Sequence, residues 1–116
     1  MGKKIALVAF NGEAMCFVHV LLNALDMHAR GYEVKVIIEG SATQLIPELG
    51  VDGAPFSDLY TKVREKGLID CVCKACATKM EGLEAAEAQG LPLCGEMKGH
   101  PSLARYIEDG YEVLPF

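Results

Sequence analysis

Short apolar runs alternate with segments of helical periodicity along the chain, and this alternation limits the fold more than any other sequence feature. The run at residues 5–10 is uninterrupted and ends at Asn11-Gly12, as is typical of a strand covered on both faces in a parallel sheet. Apolar side chains recur at helical spacing over residues 14–30, and Gly31 follows at a C-cap position. Parallel strands joined by a helix form a right-handed crossover. The alternation therefore predicts a parallel sheet with helices on both faces.

The same pattern repeats to the C-terminus. It predicts strands at residues 5–10, 32–38, 68–73, 91–94 and 111–114, and helices at residues 14–30, 41–49, 56–67, 77–89 and 101–110. The side chains predicted to face the core from the first helix are Met15, Val18, Leu22 and Leu25, and from the last helix Leu103 and Ile107. Ser41 and Gln44 have the spacing of a capping box. We therefore predict one domain over residues 1–116, an α/β chain folded as a three-layer α/β/α sandwich with a mainly parallel five-stranded sheet.

Composition and charge restrict the class of partner. The chain has 116 residues, with 11 Lys+Arg against 16 Asp+Glu, and its formal charge is −5. The basic residues are scattered rather than clustered, which argues against binding nucleic acid or an anionic membrane surface. The apolar run at residues 5–10 is too short for a transmembrane helix or a signal peptide. We expect a cytoplasmic protein that binds no nucleic acid and does not insert into membranes.

The five cysteines carry most of the functional signal. Their number is odd and the chain shows no export signal, so a disulfide framework is not expected. Cys71 lies inside the third predicted strand and is expected to pack in the core. Cys16 follows the first strand, Cys73 and Cys76 lie where the third strand meets its helix, and Cys94 ends the fourth strand. Because ligands and chemistry gather beyond the carboxyl ends of parallel strands, we expect these four cysteines at one edge of the sheet.

A thiol near the start of a helix meets unpaired backbone N–H groups and the positive end of the helix dipole, which lower its pKa. Cys76 is the first candidate nucleophile on this argument, and Cys73 is the second. Lys74 adds positive charge nearby, and His100 follows a loop with two glycines at the same edge. Cys16 and Cys94 are candidates for resolving or relaying thiols. The sequence has neither GxGxxG nor a Walker A pattern, so no cofactor is predicted.

Three other interpretations of these residues stay open. The CxxC spacing of Cys73 and Cys76 is that of a redox dithiol, although its position is wrong for thioredoxin. Cys73, Cys76, Cys94 and His100 have the ligand types of a zinc site, although the preferred hypothesis includes no metal. The third interpretation is a non-catalytic oligomeric binding module whose cysteines only pack.

Four segments of the chain resemble the DsrE/DsrF-like family of small cytoplasmic sulfur-relay proteins. They are residues 3–10, 31–34, 69–76 and 110–116, and the order of elements adds to the resemblance. The resemblance implies a parallel five-stranded sheet and assembly into an oligomer, with a homo-oligomer (trimer or hexamer) expected here. It also implies a cysteine that receives sulfur as a persulfide from a donor protein and passes it to an acceptor. Cys73 or Cys76 matches that cysteine, so the resemblance implies a sulfurtransferase-like persulfide carrier.

Overall fold

The computed structural model describes residues 2–116. Within them the strands are β1 (Lys4–Ala9), β2 (Glu33–Ile38), β3 (Ile69–Cys73), β4 (Leu93–Cys94) and β5 (Glu112–Pro115). The helices are α1 (Ala14–Ala29), α2 (Ile46–Leu49), α3 (Ser57–Glu65), α4 (Lys74–Lys79), α5 (Leu83–Ala88) and α6 (Leu103–Glu108). A 3₁₀ helix over Gly40–Leu45 leads into α2.

The strands form one parallel sheet in the order β4-β3-β2-β1-β5. The chain steps from β1 to β4 in one direction, and right-handed crossovers then place helices α1 to α5 on one face of the sheet. The step from β4 to β5 runs back across the sheet and places α6 on the other face. The structure confirms the predicted α/β fold and its three layers.

The two faces of the sheet have cores of unequal size because five helices cover one face and a single short helix covers the other. The larger core contains most of the buried apolar side chains of β1, β2, α1 and α3. The smaller core consists of Ala6, Val8, Ile37, Cys71, Tyr106 and Tyr111. Successive residues of a strand point to opposite faces, so Cys71 lies in the smaller core and Val72 in the larger one.

The single helix predicted over residues 77–89 is wrong. The helix begins earlier, at Lys74, and breaks at Glu81 and Gly82 before α5 starts. Glu81 has a φ of 62°, and a Cβ on Gly82 would lie 2.4 Å from the carbonyl oxygen of Thr43. The close approach of the 3₁₀ helix therefore requires glycine at position 82. Sequence periodicity does not predict this contact between Thr43 and Gly82.

The capping box predicted for Ser41 and Gln44 is also wrong. The segment begins as a 3₁₀ helix with no side-chain cap. Ser41 Oγ instead accepts a hydrogen bond from the backbone N–H of Gly12 at 2.8 Å, so it joins the loops that follow β1 and β2. A long-range partner has replaced the local one.

Three residues predicted to face inward from the helices are exposed. Met15 and Leu22 of α1 are 60% and 47% exposed, whereas Leu21 is fully buried. In α6 the side chain of Ile107 is 61% exposed and Tyr106 is buried in its place. Both helices carry apolar residues around much of their circumference, so helical spacing alone does not select the buried face.

Among the helices formed by residues 2–116, none has the length and apolar character needed to cross a membrane.

Candidate functional site

Cys73, Cys76 and His100 meet at the carboxyl end of β3. His100 Nδ1 lies 3.1 Å from Cys73 Sγ and 3.6 Å from Cys76 Sγ. The two sulfurs and a ring nitrogen all lie within 4.8 Å of one another. Cys73 is buried, whereas Cys76 and His100 are half-buried, so solvent reaches the cluster from the side of Cys76.

The turn from β3 into α4 positions the two cysteines. Cys73 is the last residue of β3 and caps α4, and its Sγ accepts a hydrogen bond from the backbone N–H of Cys76 at 3.4 Å. The CxxC spacing places Cys76 in the first turn of α4, on the same side as the cap. Thr43 Oγ1 lies 3.2 Å from the carbonyl oxygen of Cys76 and 2.8 Å from that of Gly40, so the buried threonine ties α4 to the 3₁₀ helix.

His100 reaches the cluster through a tight loop after β4. Met97 and His100 exchange backbone hydrogen bonds of 2.8 and 3.0 Å, which closes the loop. The carbonyl oxygen of Gly99 accepts a hydrogen bond from the N–H of Ala75 at 2.8 Å and fastens the loop to α4. Gly99 has a φ of 92°, and a Cβ there would lie 2.9 Å from the Cβ of Ala75. Glycine at position 99 therefore allows the loop to pack closely against α4.

Burial dominates the electrostatics of the deeper thiol. Desolvation, with a smaller contribution from the neighbouring Cys76 thiol, raises the pKa of Cys73 to about 12. The expected lowering of the thiol pKa at the start of a helix is therefore wrong for Cys73. Its sulfur accepts a hydrogen bond from the backbone N–H of Cys76, which lowers the pKa, but the rise in pKa caused by burial is larger. Desolvation also raises the pKa of the Glu39 carboxyl, which follows β2, and the charge of His100 opposes that rise.

Cys71 and Cys94 form a disulfide between β3 and β4, with their Cα atoms 5.7 Å apart. The expectation that the cysteines form no disulfide is wrong for this pair, and Cys94 is not the free thiol predicted from the sequence. Sequence reasoning missed the bond because residues 23 apart become neighbours only when β4 joins the sheet. The expected burial of Cys71 is confirmed, since it is 1% exposed.

Cys16 and Lys74 are not members of the three-residue cluster. Cys16 is a half-buried free thiol in the first turn of α1. Lys74 is exposed at the start of α4, where it lines a shallow cleft of about 680 Å³ together with Leu93 and Gly99. Of the predicted site residues, the structure thus brings together Cys73, Cys76 and His100.

Three residues that support the cluster were not predicted. Glu39 directly follows β2, Thr43 lies in the 3₁₀ helix, and Gly99 is one of the two glycines in the loop before His100. The sequence gives one usable signal for them, which is that Glu39 and Gly40 directly follow a strand end at the predicted edge of the sheet. The contacts of Thr43 and Gly99 depend on tertiary packing.

The fold and site define a small α/β protein with two thiols and an imidazole at the carboxyl end of a buried parallel strand. No family model matches the chain. An uncharacterized protein of Methanocaldococcus jannaschii is 32% identical over 96 residues, which are 83% of this chain and 76% of that protein. The chain therefore belongs to the same family as this archaeal protein.

A second archaeal protein and one solved structure are also similar to this chain. An uncharacterized protein of Archaeoglobus fulgidus is 43% identical over 60 residues, which are 52% of this chain and 97% of that protein. The structure of a conserved protein of unknown function from Bacteroides thetaiotaomicron superposes with a TM-score of 0.68 at 15% identity, over 97% of this chain and 95% of that one. At this identity the likeness establishes a shared fold.

Proposed function

We propose that the protein is a persulfide carrier that receives sulfur on Cys76. The observation that carries the proposal is the contact of Cys73, Cys76 and His100, in which Cys76 is the thiol open to solvent. The resemblance to sulfur-relay proteins of the DsrE/DsrF-like family supports the same interpretation, and this family relationship is itself part of the proposal.

The transfer step is a thiol exchange without net oxidation. The Cys76 thiolate attacks the outer sulfur of a donor persulfide and forms a new S–S bond, while the donor S–S bond breaks and its electron pair leaves with the donor thiolate. The proton of Cys76 passes to His100 Nδ1, which lies 3.6 Å from the attacking sulfur. The donor thiolate takes up a proton in turn. The acceptor protein removes the sulfur by the same exchange in reverse.

The environment of Cys73 favours Cys76 as the carrier and protects the bound sulfur. A thiol with a pKa near 12 is almost entirely protonated at neutral pH, and a protonated thiol is a poor nucleophile. Attack of Cys73 on a Cys76 persulfide would release hydrogen sulfide and leave a Cys73–Cys76 disulfide. Burial of Cys73 slows this loss, so a persulfide on Cys76 should persist.

The test loads the protein from a small-molecule persulfide and locates the added sulfur by peptide mass spectrometry. We expect one reductant-labile sulfur on Cys76, no loading of Cys76→Ser, and loading of Cys73→Ser on Cys76. Cys16→Ser is the matched control because it removes a half-buried thiol outside the cluster, and it should load like the wild type. Loading of Cys76→Ser at the wild-type rate would contradict the proposal.

The geometry also favours a second candidate, a zinc site formed by the same three residues. Zinc bonds of about 2.3 Å to thiolate and 2.0–2.1 Å to imidazole at a tetrahedral angle separate sulfur and nitrogen by roughly 3.5 Å. The two observed sulfur-to-nitrogen distances are 3.1 and 3.6 Å. The three ligands would leave a fourth position for water or substrate.

Metal analysis distinguishes this candidate from the carrier. The zinc hypothesis expects one tightly bound zinc per chain in protein purified without chelators, and its loss in both Cys76→Ser and His100→Ala. Cys16→Ser should keep the metal. Metal-free protein that ignores added zinc and loads sulfur on Cys76 would leave the carrier as the function.

We also propose that the chain works as a homo-oligomer in the cytoplasm, together with a sulfur donor and an acceptor protein. The exposed apolar side chains of Met15 and Leu22 on α1 support an interface between copies. Native mass spectrometry measures the assembly directly. A trimer or hexamer is expected, and a monomer at micromolar concentration would contradict it.

A further inference from the structure

The Cys71–Cys94 disulfide joins a buried sulfur to an accessible one. Cys71 is 1% exposed in the smaller core, whereas Cys94 is half-buried at the end of the two-residue edge strand β4. An external thiolate can therefore reach the sulfur of Cys94 but not that of Cys71. Attack at Cys94 expels Cys71 as the leaving thiolate.

Each sulfur of this disulfide has a polar group beside it. The hydroxyl of Tyr106 lies 3.4 Å from Cys71 Sγ, and Arg105 Nη2 lies 3.9 Å from Cys94 Sγ. A disulfide is neutral and gains little from a cation, whereas a thiolate is stabilised by a nearby cation and by a hydrogen-bond donor. The surroundings of Cys94 thus fit a reduced, charged sulfur better than a disulfide sulfur.

A hydrogen-bond network holds these two groups in place. Arg105 Nη2 donates to Glu96 Oε1 and to the hydroxyl of Tyr106, both at 3.3 Å, and Tyr106 donates to Asp70 Oδ2. Lys35 Nζ lies 3.7 Å from the same Asp70 carboxylate. Burial, together with the Asp70 carboxylate, raises the pKa of Tyr106, so its hydroxyl keeps the proton that it donates to Asp70 and turns its oxygen lone pairs toward Arg105 and Cys71.

We propose that the Cys71–Cys94 disulfide is a redox-active bond that an external dithiol opens at Cys94. This site is separate from sulfur loading at Cys76 and does not depend on it. The sulfur expelled from Cys71 takes up a proton and can then donate it to the hydroxyl oxygen of Tyr106, and Arg105 stabilises the thiolate later released at Cys94.

The reaction balances with a dithiol as the reductant. Its first thiolate bonds to Cys94 Sγ, the Cys71–Cys94 bond breaks, and the electron pair stays on Cys71. The second thiolate of the dithiol then attacks the first, which closes the dithiol into a disulfide and releases Cys94. Two electrons and two protons pass from the dithiol to the protein. Cys94 pairs with Cys73 in the sheet register, so reduction frees a thiol on the strand next to Cys73.

The experiment equilibrates the native protein in mixtures of reduced and oxidised dithiothreitol, with alkylation and peptide mapping of Cys71 and Cys94. At a pH above the usual cysteine pKa of about 8.5, where the released thiol is ionised, Arg105→Gln should shift the equilibrium toward the disulfide by up to about tenfold, the size expected when a cation lowers a thiol pKa by one unit. Arg30→Gln is the matched control, because Arg30 is an exposed arginine at the end of α1 that pairs with Asp26, and it should not shift the equilibrium. Arg105→Lys should retain much of the wild-type behaviour.

A monothiol tests the direction of attack. Glutathione should form its mixed disulfide on Cys94 and leave Cys71 free for alkylation. An adduct on Cys71, a disulfide that opens only in denaturant, or equal equilibria for wild type and Arg105→Gln would overturn the proposal. Sulfur loading of Cys76 is measured on the same samples, so failure of the carrier function and failure of the redox-active disulfide give different results.

Discussion

At the scale of single residues, the candidate site depends on positions where only one side chain fits. Gly99 holds the His100 loop against α4 with a φ of 92° and a carbonyl oxygen 2.8 Å from the N–H of Ala75. Cys73 caps α4 and is fully buried, and this burial raises the pKa of its thiol. Cys76 is therefore the more accessible thiol of the cluster.

Gly99→Ala should destabilise the protein by at least about 1 kcal/mol, because L-residues avoid this φ and the new Cβ would lie too close to Ala75. Gly95→Ala is the matched control in the same loop, since its Cβ would meet Gly99 Cα at an ordinary 3.4 Å. Its stability should be unchanged or raised by up to about 1 kcal/mol. Urea unfolding measures both, and equal effects of the two substitutions would contradict the packing role of Gly99.

At the scale of elements, helical periodicity predicts where a helix lies better than it predicts which face of the helix is buried. The position of α1 was predicted within one residue at its C-terminus, but its buried face was not. Leu21 and Leu22 are adjacent, and the sheet selects Leu21 for burial. The region predicted as one helix divides into α4 and α5 because the 3₁₀ helix approaches Gly82.

Leu21→Ala should cost about 2–5 kcal/mol of unfolding free energy, as is usual when a fully buried leucine leaves a cavity. Leu22→Ala should cost less than about 1 kcal/mol, because Leu22 is 47% exposed. Chemical denaturation of the two variants at the same protein concentration provides the comparison. The reverse order would mean that α1 presents its other face to the sheet.

At the scale of the whole molecule, two side-chain hydrogen bonds connect three of the helices that pack on the larger core. The hydroxyl of the fully buried Tyr60 donates to Gln89 Oε1, and Gln89 Nε2 donates to the carbonyl oxygen of Ile46 at 3.0 Å. These hydrogen bonds join α3 and α2 to the end of α5. Burial raises the pKa of Tyr60 to about 12.

The stability that protonated Tyr60 contributes should be complete below its unfolded pKa of about 10 and lost as the pH rises toward 12. The difference in unfolding free energy between wild type and Tyr60→Phe should therefore shrink by on the order of 2 kcal/mol over this interval. Urea unfolding from about pH 8 upward measures it, with Tyr32→Phe as the control for a half-buried tyrosine. A difference that stays constant to the highest accessible pH would show that Tyr60 is not protonated preferentially in the folded state.

The sequence by itself determined the element order, the parallel sheet and the edge at which Cys73, Cys76 and His100 lie. These follow from hydrophobic periodicity and crossover handedness, which are local or general properties of the chain. Only the tertiary structure decided that Cys71 and Cys94 form a disulfide, that Cys73 is buried, and that Leu21 rather than Leu22 faces the sheet. Each of these depends on contacts between residues far apart in sequence, whose distances are fixed only when β4 and the helices pack on the sheet.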